Sequence, residues 1–130
     1  MEEKLSMDIT ALLIISCCGG CGAVARFIAD TLIKRTHPTV FPVSTLIINT
    51  IAAILFAASL VFVRESFGPV YTYMTAGFLG GFSTFSTAMN EIVTLARSKH
   101  WAQFISYFIV AIAIPVIALI LSIMVFMLIH

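Results

Sequence analysis

The sequence predicts an all-α membrane protein with four transmembrane helices, the third broken near its middle. Three observations lead there. The 130-residue chain is 61% hydrophobic and 10% charged, with a mean hydropathy of +1.11, too apolar for a soluble domain of this size. Four apolar stretches, roughly 9–33, 41–63, 70–95 and 101–129, each reach the roughly 20 residues that a helix needs to cross the hydrocarbon core. The third stretch carries Gly77-Phe78-Leu79-Gly80-Gly81-Phe82-Ser83-Thr84-Phe85-Ser86-Thr87, with glycines and hydroxyls where lipid favours Leu and Val. Gly80-Gly81 is the expected point of departure from the helix. A broken helix at membrane depth is tolerated only where protein buries it or a watery cavity adjoins it. The break is therefore expected to build an ion or solute site.

The first span is too long for a cleavable signal and carries Arg26 and Asp30 near its end. Its string Gly19-Gly20-Cys21-Gly22-Ala23 lets another helix approach closely. Arg26 and Asp30, four residues apart, share a face. Arg26 is read in two ways, as a side chain snorkelling from a helix end or as a functional charge. In the second span Asn49 follows Thr45 by one turn and precedes Thr50. An amide among Ile and Leu needs partners, either another helix or an anion. In the fourth span Trp101 reads as an interfacial belt residue. Ser106 and Tyr107 open that span, and Pro115 is expected to kink it. The connecting loops are short, so residues 1–130 are read as one four-span domain.

Downstream of the break, Ser83, Ser86 with Thr87, Asn90 with Glu91, and Thr94 recur at helical spacing. This places a polar stripe along one face of the second half-helix. Hydroxyl and amide protons can replace water around an anion. The N-terminus of the second half-helix adds a positive dipole end, and the C-terminal carbonyls of the first half can hold a cation. Phe78, Phe82 and Phe85 interleave with the stripe, and an aromatic edge is electropositive. Phenylalanine is also an ordinary lipid-facing residue, with 11 copies in this chain. The stripe is what turns the reading toward an ion path.

Other chemistries find little support. Cys17, Cys18 and Cys21 have no His or acid near them in sequence, whereas zinc wants four ligands. They read as small packing residues, with no disulfide framework. His37, His100 and His130 form no cluster in the sequence. No nucleophile–base arrangement, Walker loop or dinucleotide motif is present, so an enzyme is not expected. A net charge of +1 argues against nucleic-acid binding. With four spans, Lys4 and Arg64 fall on one side and Lys34, Arg35, Arg97 and Lys99 on the other. The bias leans weakly toward termini outside, and leaves both one-way and dual insertion open. So small a bundle has little interior to wall a pore, so oligomerisation is expected.

These segments resemble the Fluc, or CrcB, family of fluoride channels over nearly the whole chain. The first-span pattern Gly-Gly-x-Gly-Ala-x-x-Arg stands as Gly19 to Arg26. The second-span Gly-Thr-Leu-x-x-Asn stands as Ser44-Thr45-Leu46-Ile47-Ile48-Asn49. The long third-span Gly-Phe-x-Gly-Gly-x-Thr-Thr-Phe-Ser-Thr-Phe stands as Gly77 to Ala88. The resemblance implies an antiparallel dual-topology dimer in the inner or plasma membrane, with two pores along the subunit interface. It implies a structural sodium ion at the centre, shared by both subunits and held by carbonyls of Gly80 and Ser83. It makes Asn49 the pore amide, Phe85 the first box phenylalanine, and Ser86 and Thr87 the hydroxyl track. Arg26 would keep the vestibule electropositive, Tyr107 would be a pore tyrosine, and Glu91 the acid after the track. Thr45 and Phe82 are the remaining pore candidates. The implied role is passive export of fluoride trapped in the cytoplasm, giving fluoride resistance.

The chain departs from that pattern. Ala88 replaces the second box phenylalanine, Ser83 the first threonine of a pair, Ser44 a glycine, and Ala52 another glycine. Phe82 lies a turn or more from the missing ring. Ala88 leaves open a homodimer with a modified pore, one half of a heterodimer of related chains, or a non-conducting subunit. A competing reading is a small proton-coupled multidrug transporter of the same size. It would need a membrane-embedded carboxylate, and Asp30 and Glu91 are poorly placed for that.

Overall fold

The computed structural model describes residues 2–130, with side chains from residue 8 onward. It is all-helical among those residues. The first helix, Glu2–Thr36, begins before the apolar stretch does. It ends with Lys34 and Arg35 in its last turn, where cations suit the carbonyl end of the dipole. Pro38 follows, and the residue before a proline is pushed out of helical geometry. The second helix, Val43–Ala58, widens into a π-helical end, Ser59–Val63. There Arg64 N–H donates to the Ser59 carbonyl at 3.1 Å. The last helix, Trp101–Ile129, contains Pro115 and is not ended by it.

Three helices are long and apolar enough to cross a membrane: Asp8–Thr36, Val43–Val63 and Trp101–Ile129. The third hydrophobic segment is divided. Its upstream half runs through Gly68–Thr72, a π-helical stretch Tyr73–Leu79 and a last turn Gly80–Phe82. Its downstream half is Phe85–Arg97. Neither half alone reaches membrane thickness, which is why the segment does not count as a single long helix.

The position of the break corrects the expectation from sequence. Gly80 keeps helical angles (φ −61°, ψ −38°), and no described glycine has positive φ. The chain leaves the helix at Ser83 (ψ 155°) and Thr84 (φ −146°, ψ 116°). The glycines serve close packing instead. A Cβ on Gly81 would collide with the Gly19 carbonyl, and one on Gly22 with the Phe78 carbonyl. A Cβ on Gly77 would lie 2.7 Å from Cys18 Cβ. The small-residue string of the first helix is thus the seat of the upstream half-helix, as small-residue packing in bilayers leads one to expect.

The second and last helices pack along each other, and the downstream half-helix rests on the last helix. One buried cluster joins Ile48, Ala52 and Phe82 to Ala25, Ala29, Ile33 and Phe78. Another joins Ile92, Leu95 and Tyr107 to Phe41, Leu46, Met89 and Phe104. Elsewhere the apolar surface faces outward, as in Phe27, Ile117 and Leu121. That inside-out distribution suits a lipid solvent.

The turn between the downstream half and the last helix is a Schellman motif. Lys99 takes the left-handed conformation (φ 58°). Lys99 N–H donates to the Ala96 carbonyl and His100 N–H to the Leu95 carbonyl, each at 3.1 Å. Glycine is the usual occupant of that position.

Candidate functional site at the helix break

Many hydroxyls of the chain satisfy themselves on their own helix. Ser16, Thr31, Thr50, Ser59, Thr75 and Thr94 each donate to the carbonyl four residues back, the ordinary solution for an isolated hydroxyl in a membrane helix. Three polar residues near the start of the second helix do otherwise. Ser44, Thr45 and Asn49 each reach another element, and these three contacts organise the site.

Asn49 clamps the break. Its Nδ2 donates to the Thr84 carbonyl at 2.9 Å, and its Oδ1 accepts from Thr84 N–H at 2.8 Å. The amide thus imitates a backbone partner for Thr84, which lies with Ser83 outside both half-helices. Thr84 in turn caps the downstream half, its Oγ1 accepting from Thr87 N–H at 3.2 Å and donating to Thr87 Oγ1 at 2.8 Å. In a continuous helix, Thr84 N–H would go to the Gly80 carbonyl and Thr87 N–H to the Ser83 carbonyl. Both donors are engaged elsewhere. The clamp and the cap therefore take the i+4 donors away from the Gly80 and Ser83 carbonyls, the two for which the family resemblance implies a cation. Gly80 and Ser83 are themselves exposed.

The groove beside the break holds about 600 Å³ and is lined by Asn49, Gly80, Ser83, Thr84 and Phe85, with Ala111, Pro115 and Leu119 of the last helix opposite. Phe85 stands 74% exposed at its edge. The polar stripe divides between two sides of the downstream half-helix. Ser86, Asn90 and Thr94 lie on the exposed side with Phe85. Ser86 and Asn90 make no side-chain hydrogen bond among the described residues, whereas the Thr94 hydroxyl is spent on the Asn90 carbonyl. Thr87 and Glu91 turn inward.

Glu91 is held by two hydroxyls. Thr45 Oγ1 donates to Glu91 Oε1 and Tyr107 OH to Glu91 Oε2, each at 2.8 Å. Tyr107 and Thr45 are almost completely buried. The Tyr107 ring is fixed edge-on by Phe41 at 5.4 Å between centroids. Tyr107 is therefore a core residue, not an interfacial one. Phe82 is also placed inward, 8% exposed and stacked on Phe78 at 6.0 Å. It does not join the exposed face that carries Phe85. Ala88 is buried as well, 4% exposed, so Phe85 is the exposed ring of the downstream half-helix.

Arg26 and Asp30 share a face but are not an ion pair. Asp30 Oδ2 accepts from Lys34 Nζ at 2.8 Å, and Asp30 Oδ1 accepts from Ser44 Oγ at 2.6 Å. Arg26 Nε is buried without a partner. No described group of three or more His, Cys, Asp or Glu could hold a metal, and Cys17, Cys18 and Cys21 are free thiols. Sequence reasoning missed Thr84, whose signal was the spacing Thr84-x-x-Thr87 of an N-cap. It also missed the pairing of Ser44 with Asp30, for which a single sequence carries no signal.

Comparison with known proteins places the sequence in a family. The family profile described as CrcB-like protein, Camphor Resistance (CrcB), matches residues 13–123. The fluoride-specific ion channel FluC 3 of Bifidobacterium longum is 39% identical over 114 residues, covering 86% of this chain and 94% of that protein. FluC 1 of the same organism, also named a fluoride-specific ion channel, is 38% identical over 109 residues, 76% of this chain and 82% of the relative. A fluoride-specific ion channel FluC 1 of Halalkalibacterium halodurans is 32% identical over 124 residues, 85% and 93% of the two chains. These proteins are channels and not enzymes. A profile matched across most of the sequence, with the break and its clamp inside the matched region, means that this chain belongs to the CrcB family.

Proposed function

We propose that this chain forms a fluoride-selective channel in the cell membrane, as an antiparallel dimer that lets cytoplasmic fluoride leave passively. The observation that carries the reading is the extended break at Ser83–Thr84, open to the groove and flanked by the exposed Phe85 and Ser86. Irregular backbone facing lipid is not viable inside the hydrocarbon region. The open face therefore needs a cover, and a second copy supplies one together with a second Phe85. Antiparallel pairing is consistent with the weak charge bias between the two sides.

In this reading the chain's own residues do three things. Phe85 presents a ring edge and Ser86 a hydroxyl donor to an anion stripped of water. Asn49, which also lines the groove, keeps one amide proton beyond its clamp on Thr84. Thr45 and Tyr107 are hydroxyl donors already gripping the two Glu91 oxygens, and fluoride is the kind of small, strong acceptor they would grip in turn. A sodium ion, when bound, would supply positive charge at the dimer centre. Gly80 and Ser83 would hold it through their freed carbonyls. The proton-coupled transporter is disfavoured because both membrane-level carboxylates are occupied, Asp30 by Lys34 and Ser44, and Glu91 by Thr45 and Tyr107.

A second reading, a heterodimer with a related chain, is favoured by one feature. Ala88 supplies no ring of its own, and a partner carrying phenylalanine there would. Efflux from liposomes containing only this purified chain, followed with a fluoride electrode against a chloride control, tests the proposal. Fast fluoride-selective efflux supports the homodimer. Folded dimers that pass no fluoride would overturn it in favour of the two-chain channel.

A further inference from the structure

Arg26, Asp30 and Lys34 stand at successive turns on one face of the first helix. Asp30 has a choice of neighbours, a cation one turn before it and another one turn after. Two features decide the choice. Side chains on a helix lean toward its N-terminus, so Lys34 leans onto Asp30 while Arg26 leans away. An acid placed N-terminal to a base at this spacing is also the better ordered pair. Ser44, across the loop on the second helix, adds a third constraint by donating to Asp30 Oδ1 at 2.6 Å. Both carboxylate oxygens are then engaged, one by Lys34 and one by Ser44. Arg26 makes no ion pair with Asp30, and its Nε is buried and unpartnered. One turn before Arg26, Gly22 abuts Phe78 and Phe82, just ahead of the break.

We propose that Ser44, together with Lys34, is a positioning device that keeps Asp30 from ion-pairing with Arg26 and so leaves the Arg26 guanidinium better able to draw anions toward the break. Its consequence for flux rests on the fluoride-channel reading; its geometry does not. Glycine at position 44 would release Asp30 Oδ1 and let the carboxylate swing toward Arg26. The guanidinium, already within coulombic range of Asp30, would then be ion-paired with it, and the attraction for an incoming anion would fall.

The test compares the full chain in liposomes as wild type, Ser44→Gly, Asp30→Asn and the double variant. At low ionic strength and low fluoride, Ser44→Gly is expected to slow efflux roughly tenfold, the low end of electrostatic steering. The deficit should shrink in salt and vanish in Ser44→Gly with Asp30→Asn. Ser44→Ala gives the same comparison if glycine loosens the helix start. A double variant as slow as Ser44→Gly, or a Ser44→Gly variant as fast as wild type, overturns the proposal. A second readout does not depend on conduction: the nitrogen-15 signal of Arg26 Nε, assigned with Arg26→Lys. It should move toward that of a paired guanidinium in Ser44→Gly and return in the double variant. Wild-type chain that passes no fluoride removes the single-chain channel reading, and the Nε signal still decides the positioning role. An Nε signal identical in all forms refutes it.

Discussion

Replacing Asn49 by Leu tests the clamp most directly, because the two side chains are of similar size while leucine can neither donate nor accept. Two hydrogen bonds to Thr84 are lost. Thr84 is 9% exposed, so water cannot replace them. Each stranded group costs about 1–3 kcal/mol, or about 2–6 kcal/mol for the pair. Side-chain bonds between membrane helices average about 0.6 kcal/mol and reach about 1.7, because the unfolded chain in lipid also finds partners. The lower end, about 2 kcal/mol, is therefore expected, which corresponds to a loss of up to roughly 30-fold in the population of the clamped break. Fluoride efflux from liposomes should fall by up to that factor, and the unfolding midpoint in detergent should drop with it. Thr50→Val is the control, since the Thr50 hydroxyl is bonded only to its own helix at the Leu46 carbonyl. Efflux and midpoint for Asn49→Leu equal to those of Thr50→Val would refute the reasoning.

Phe85→Ile removes the exposed ring edge without touching the core, so fluoride efflux should fall at least tenfold while the dimer fraction on size exclusion stays unchanged; unaltered efflux would remove Phe85 from the path. Prolonged exchange of sodium for a bulky organic cation should weaken the dimer, read as a rise in the monomer fraction at nanomolar protein, and no rise would argue against cation binding by Gly80 and Ser83. Lys99→Gly relieves a left-handed lysine and should stabilise the fold by about 1 kcal/mol, seen as a higher unfolding midpoint with no change in flux.

Three of the four apolar spans were legible as long helices because lipid imposes length and composition, and no tertiary information is needed to see them. The break was legible as an event and misplaced by a few residues. Gly80-Gly81 reads as a helix breaker in isolation, yet in the fold both stay helical, Gly81 lies against the first helix and Gly80 is exposed. Thr84 carries the true signal, a short polar cap, but capping chemistry is inconspicuous amid so many hydroxyls. The polar stripe was visible and its sidedness was not. Thr87 and Glu91 lie about 100° around the helix from Ser86 and Asn90, enough to put one pair inside and leave the other outside. The pairings Ser44–Asp30, Thr45–Glu91 and Asn49–Thr84 join positions far apart in the chain. One sequence does not say which turn of one helix lies beside which turn of another.

Those three pairings all leave the second helix within two turns of its start, and they run to three separate pieces of the chain. Apolar contacts between lipid-embedded helices discriminate poorly between one alignment and the next, since any leucine serves nearly as well as its neighbour. A shift of the second helix by one residue moves it about 1.5 Å and turns it about 100°. That single step would separate Ser44 from Asp30, Thr45 from Glu91 and Asn49 from Thr84 at once. The helix therefore seats in one notch or in none, like a key whose three teeth must all meet their pins.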